Sequence, residues 1–243
     1  MTVLGQAWTC LLDLVAPRDC PACGQDAGRS LCVACHRLLE PAPTRDLDGI
    51  PVVGAALFLA PLDGAVHRFK YQSRPDLAAP LAALFTRADL ARLGADPRSL
   101  FVPVPLHRTR LAERGYDQSA LLAGALARAR GRRTCARALW RTRMTQQQAR
   151  LDARARWDNV IGAFEPNPKV SLAGLPVVLV DDVVTTGATA RECAGVLGRA
   201  GAHVTAIACI ALTPHGSSRN LAPPRDPSAP ELMQQSENGK PLA

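Results

Sequence analysis

The chain has 243 residues, of which 47% are apolar and 21% charged, and its formal net charge is +8. That apolar share excludes a disordered chain, and the length suits one large domain or one domain with a small appendage. No run approaches the ~20 apolar residues of a membrane-spanning helix, so neither membrane insertion nor a membrane partner is expected.

At the N-terminus, Trp8, Leu11, Leu12 and Val15 read as a short capping helix. No basic residue precedes this apolar stretch and Asp13 interrupts it, which argues against a secretory signal and for a cytoplasmic location. Cys20-Pro-Ala-Cys23 and Cys32-Val-Ala-Cys35 follow, two C-x2-C pairs that together offer four thiolates. Such spacing suits structural zinc held in a tetrahedron with no open coordination position. A redox pair would appear once, at the start of a helix, and a disulfide framework conflicts with a reducing compartment. Residues 40–50, with two prolines, a glycine and mixed charge, read as a linker. It would divide an N-terminal module (1–45) from a larger domain (50–213).

The larger domain begins with an apolar strand at 52–60, then a helix running into a loop, then a helix over 76–93 with Leu77, Leu81, Leu84 and Phe85 on one face. A short strand at 101–105 leads into a basic loop at 107–118, and helix 119–129 follows. A second basic loop fills 140–159. Strand 176–182 is a continuous apolar run of the kind buried on both faces of a parallel sheet, followed by helix 188–201 and strand 203–212. Alternating strands and helices predict an α/β fold with right-handed crossovers. Beyond Pro214 the chain is polar and is expected to be disordered.

Charge is concentrated. Between Leu106 and Val160, thirteen arginines face only Glu113, Asp117, Asp152 and Asp158. The guanidinium fork matches phosphate oxygens, which points to a polyanionic partner, either a phosphorylated small molecule or nucleic acid.

The stretch from Val177 to Thr189 reads VVLVDDVVTTGAT. A buried strand ends in two carboxylates, and a small-residue loop then opens a helix. Ligands of open α/β sheets bind beyond the carboxyl ends of strands, and a helix N-terminus suits phosphate. Thr185, Thr186 and Thr189 add hydroxyls beside Ala188. Gly187 is expected to combine a positive φ with open space for the anion. Asp181 and Asp182 would repel a phosphate but accept sugar hydroxyls or stand near Mg²⁺. The pattern reads as a site for a 5-phosphorylated sugar.

This run resembles the PRPP-binding signature of type I phosphoribosyltransferases (PRPP being 5-phosphoribosyl 1-diphosphate). Together with the cysteine pairs, Phe69-Lys70-Tyr71-x-x-Arg74, VPVPLHRTRLAERGYDQS, Arg141-x-Arg143-x-Thr145-x-x-Gln148 and Arg156-x-x-Asn159-Val-x-Gly162-Ala-Phe164, the chain resembles the competence protein F (ComF) family. The resemblance covers roughly residues 8–213. It implies a type I phosphoribosyltransferase fold joined to a zinc-ribbon module, PRPP or a related phosphoribosyl compound bound with Mg²⁺, and a role linked to DNA uptake or recombination.

By that resemblance, the loop after the early core strand would hold the diphosphate through Arg110, Arg114, Gly115 and Gln118. Arg141 and Arg143 would serve from a mobile loop, where Gln146-Gln147 replaces prolines frequent in the family. Lys70 and Arg74 are further candidates, unless they only pair with surface carboxylates. No side chain stands out as a general base. The alternative function is a single-stranded DNA-binding or sensing module that works with competence or recombination proteins. Tyr116, Trp140 and Trp157 are then the stacking candidates in the basic block.

Overall fold

A computed structural model describes residues 19–28, 30–144 and 158–214. The expected capping helix at 8–15, residues 145–157 of the second basic loop and the tail from 215 lie outside the described residues.

Six strands form the main sheet: β1 (Arg45–Leu47), β2 (Ile50–Leu57), β3 (Leu100–Pro103), β4 (Arg133–Thr134), β7 (Pro176–Val184) and β8 (His203–Leu212). Their order is β1-β2-β8-β7-β3-β4. All neighbours are parallel except β1 and β2. Strands β5 (Leu139–Arg141) and β6 (Phe164–Pro166) form a separate antiparallel ribbon.

β7 shows why the core strands are apolar throughout. Val178 and Val180 belong to one core, with Phe69, Leu81, Leu122 and Leu126, while Val177 and Leu179 belong to the other, with Leu139, Phe164, Cys193 and Leu197. Alternate side chains leave a strand on opposite faces, and helices cover both. On the first face lie α2 (Leu62–Tyr71), α3 (Ala78–Ala82) and α6 (Gln118–Arg130), and α7 (Ala188–Arg199) covers the second. The result is the architecture that the resemblance implies: a mostly parallel sheet flanked by helices, with a four-cysteine module at its N-terminal side. Among the described residues, no helix is long and apolar enough to cross a membrane.

Four local expectations are corrected. The stretch read as a linker contains β1, joined to β2 by a tight turn at Asp48 (φ 55°) and Gly49 (φ 83°), with Gly49 N–H donating to Asp46 Oδ1 at 2.8 Å. The helix expected over 76–93 is broken. A 3-10 turn at Pro75–Leu77 leads into α3, and Thr86 with Asp89 forms a capping box that starts a new helix, α4 (Arg87–Arg92). The first basic loop contains a helix, α5 (Arg108–Arg114), capped by His107. The second begins inside strand β5 and ends at 158–159 in a helical turn rather than in loop.

The four-cysteine module, which includes helix α1 (Val33–Arg37), is not insulated from the rest. Asp19 accepts hydrogen bonds from Arg68 at 2.8 Å and Arg74 at 2.9 Å, and Ala22 and Leu39 pack against the larger domain's core.

Candidate functional site

At the carboxyl end of β7, Asp181 is half-buried and Asp182 buried. Asp181 Oδ1 accepts from Ser119 Oγ at 3.2 Å and from Asp182 N–H at 2.9 Å. Burial, reinforced by the neighbouring Asp182 carboxylate, pushes Asp181 up to about 7 from an ordinary 3.8. Lys70 Nζ lies 2.9 Å from Asp182 Oδ1, an ion pair in which both side chains are largely buried. The lysine is placed there by α2, which seats Phe69 in the core one residue earlier.

Beyond β7 the backbone turns at Thr185 and Thr186 into Gly187, whose φ is +81° and which serves as the N-cap residue of α7 without a side-chain cap. Thr186 Oγ1 accepts from Ala188 N–H at 3.4 Å. The first-turn N–H groups of a helix have no intrahelical acceptor, and the residues leading into α7 are small or carry hydroxyls. One expectation about Gly187 fails. A Cβ on it would meet Leu47 Cδ1 at 2.9 Å rather than open space, so the residue must be glycine because of its φ and because β1 packs against it.

Lys70, the partner of Asp182, also lines a cavity of about 160 Å³ together with Tyr71, Ser73, Arg110, Glu113 and Arg114. Arg114 stacks over Tyr71 at 4.9 Å and donates to Gln118 Oε1 at 3.0 Å. Gln118 is fully buried, so it orients Arg114 instead of lining the cavity. Gly115 (φ +78°) closes α5 and lets the chain turn towards α6. Arg141 packs over Phe164 at 5.2 Å. Burial, with Arg110 close by, lowers its pKa, and Asp181 partly offsets this. The fold therefore brings Lys70, Arg110, Arg114, Arg141, Asp181 and Asp182 to one end of the sheet.

Two candidates point elsewhere. Arg143 donates to the backbone oxygens of Asn159 and Ile161, at 3.1 and 2.7 Å. Arg74 forks onto Asp76 and reaches Asp19.

No protein-family model matches the chain. It is 35% identical over 233 residues to the DNA utilization protein YhgH of Salmonella typhi, covering 88% of this chain and 99% of that protein. It is 31% identical over 173 residues to competence protein F of Haemophilus influenzae, covering 69% of this chain and 73% of that one. The chain belongs to the competence protein F family. A shorter likeness, 51% over 37 residues, relates 15% of this ComF-family chain to 19% of an orotate phosphoribosyltransferase of Parvibaculum lavamentivorans.

The module of this ComF-family protein brings Cys20, Cys23, Cys32 and Cys35 together, with all four sulfurs within 4.8 Å of one another. Among the described residues, it is the one group of three or more His, Cys, Asp and Glu side chains close enough together to hold a metal ion. Cys23 and Cys32 sulfurs are 3.7 Å apart, against an edge of about 3.8 Å for a tetrahedron with Zn–S near 2.3 Å. Backbone N–H groups of Cys32 and Cys35 point at the sulfurs of Cys20 and Cys32. Burial favours the neutral Cys20 thiol, yet N–H groups of Cys23, Cys32 and Ala22 outweigh it and bring the thiol down to about 6. The set fits a four-coordinate thiolate metal.

Sequence reasoning missed Arg45, whose guanidinium donates to Thr185 O at 2.7 Å and Thr213 O at 2.6 Å. The signal available was Asp48-Gly49, a dipeptide suited to a two-residue hairpin.

Proposed function

We propose that this protein binds PRPP, or a closely related phosphoribosyl compound, with Mg²⁺ at the carboxyl end of β7. The observation that carries the reading is the juxtaposition of a paired carboxylate, a positive-φ glycine loop opening a helix, and a cationic cavity. Each suits one part of such a ligand. The 5-phosphate takes the Thr185–Thr189 loop, where threonine hydroxyls precede the N-terminus of α7. Ribose hydroxyls are accepted by Asp181 and Asp182. The diphosphate lies towards Lys70, Arg110, Arg114 and Arg141, with Arg114 held in aim by Gln118.

Mg²⁺ takes oxygen ligands and commonly combines one or two carboxylates with substrate phosphates, and the acidic pair beside the cavity fits that donor set. When bound, it neutralises charge on the diphosphate. If the ligand reacts, the bond from ribose C1 to the diphosphate oxygen breaks as an acceptor attacks C1. The side chains then contribute positioning and charge stabilisation. Zinc at the four cysteines is supported by the sulfur spacing, and closed four-thiolate coordination gives it a structural part. The names of the relatives concern DNA use and competence, and we extend to this chain a cytoplasmic role in taking up or using DNA.

Isothermal titration with PRPP and Mg²⁺ tests the site. Wild type should bind and Asp181→Asn/Asp182→Asn should not. Equal binding by the two would remove the assignment.

A further inference from the structure

The loop that opens α7 is held in shape by side chains from outside its own strand and helix. Three of them come from β1 and its turn. Arg45 Nη1 donates to the carbonyl of Thr185, the first residue after β7, and Nη2 donates to that of Thr213, the first residue after β8. Thr213 in turn donates through N–H and Oγ1 to Val184 O, at 3.0 and 3.1 Å. Two residues along, Leu47 fills the space against Gly187. One residue further, Asp48 forms an ion pair with Arg191 in the first turns of α7, with Nη2 to Oδ1 at 3.3 Å. Start, apex and exit of the loop each meet one residue of a four-residue stretch. Both described hydrogen-bond partners of Arg45 are neutral carbonyls, and partial burial lowers its pKa. A partly desolvated cation held this way is a costly arrangement, and what it fixes is the direction of the Thr185 peptide.

We infer that Arg45 is a positioning residue, which sets the backbone of the 185–189 loop so that its N–H groups converge on an anion. The ligand side of this inference rests on the PRPP reading, whereas the bracing itself does not.

The test uses the full chain as wild type, Arg45→Met and Arg45→Lys. Amide hydrogen exchange is followed by mass spectrometry, and affinity for PRPP with Mg²⁺ by calorimetry. In Arg45→Met, exchange should rise in peptides spanning 185–191 while β7 and β8 keep their protection. Affinity should fall about tenfold or more, the scale expected when binding groups lose their aim. Arg45→Lys, which keeps a cation but not the fork, should recover part of both effects. Exchange at 185–191 unchanged by Arg45→Met would overturn the inference. So would a uniform loss of protection across the sheet in both variants, because that marks a general structural staple. Raised loop exchange with unchanged affinity would also overturn it. A wild type that binds no PRPP would instead remove the ligand reading of the preceding section, and the exchange arm would then decide the bracing alone.

Discussion

Asp181→Asn should make the protein more stable, and increasingly so as pH rises. The carboxyl titrates near 7 in the fold against an ordinary 3.8. Between those values the native chain therefore holds a proton that the unfolded chain has released. Stability then falls with rising pH across that window, at most by about 1.4 kcal/mol per pH unit. Summed over the window, the ionised carboxylate costs the native state on the order of 4 kcal/mol above pH 7. Asparagine keeps an acceptor for Ser119 and for the Asp182 N–H but removes the titration. Urea unfolding of wild type and variant at pH values from 5 to 8.5 measures the difference, in which groups that do not interact with position 181 cancel. The variant's advantage should be a few kcal/mol at pH 8 and should shrink steadily towards pH 5. A pH-independent difference, or a wild type more stable at pH 8, would refute the reasoning.

Lys70→Met should destabilise the fold by up to about 3 kcal/mol, because the buried Asp182 loses its counter-charge; a Lys70→Met/Asp182→Asn double variant should recover most of that loss in the same unfolding assay. Lys70→Met alone, with Asp182 intact, should also raise the titration midpoint of Asp181, which the lysine lowers, as NMR titration of the carboxyl carbon would read. Gly187→Ala should cost roughly 1–3 kcal/mol from a positive φ forced on a side chain, plus the displacement of Leu47. Leu47→Ala in that background should return part of the second contribution, and a strictly additive pair would contradict the packing. Removing metal from the cysteine module with a chelator should raise hydrogen exchange in α2 as well as in the module, since Asp19 is held by Arg68 and Arg74. Exchange confined to residues 20–39 would mean that the module is independent after all.

Much of the site was legible in the sequence because its parts are local. The acidic pair, the threonines and Gly187 sit within nine consecutive residues, and strand, turn and helix each have short-range causes: an apolar run, a glycine at positive φ, and a helix that follows. The cysteine pairs are similarly self-announcing, since their spacing alone puts two sulfurs on one turn. β7 and β8 were legible for another reason. Strands buried on both faces carry no polar alternation, and the apolar runs Val177–Val180 and Ala206–Leu212 are continuous.

What tertiary structure decided were the partnerships between segments far apart in the chain. Lys70 meets Asp182 across more than a hundred residues, and Arg45 meets Thr185 across a similar span. Nothing in either local sequence marks the pairing, because it depends on which helix covers which face and on which strand takes the edge. The same dependence turned an apparent linker into a strand. Three residues flanked by prolines and charges have little strand propensity of their own, and β1 exists because β2 offers it an open edge to pair with. It also separated equal-looking arginines. Arg110 and Arg114 line the cavity while Arg143 is turned onto backbone carbonyls. A guanidinium's charge is fixed by its chemistry, but what it faces is fixed only when the chain around it has packed.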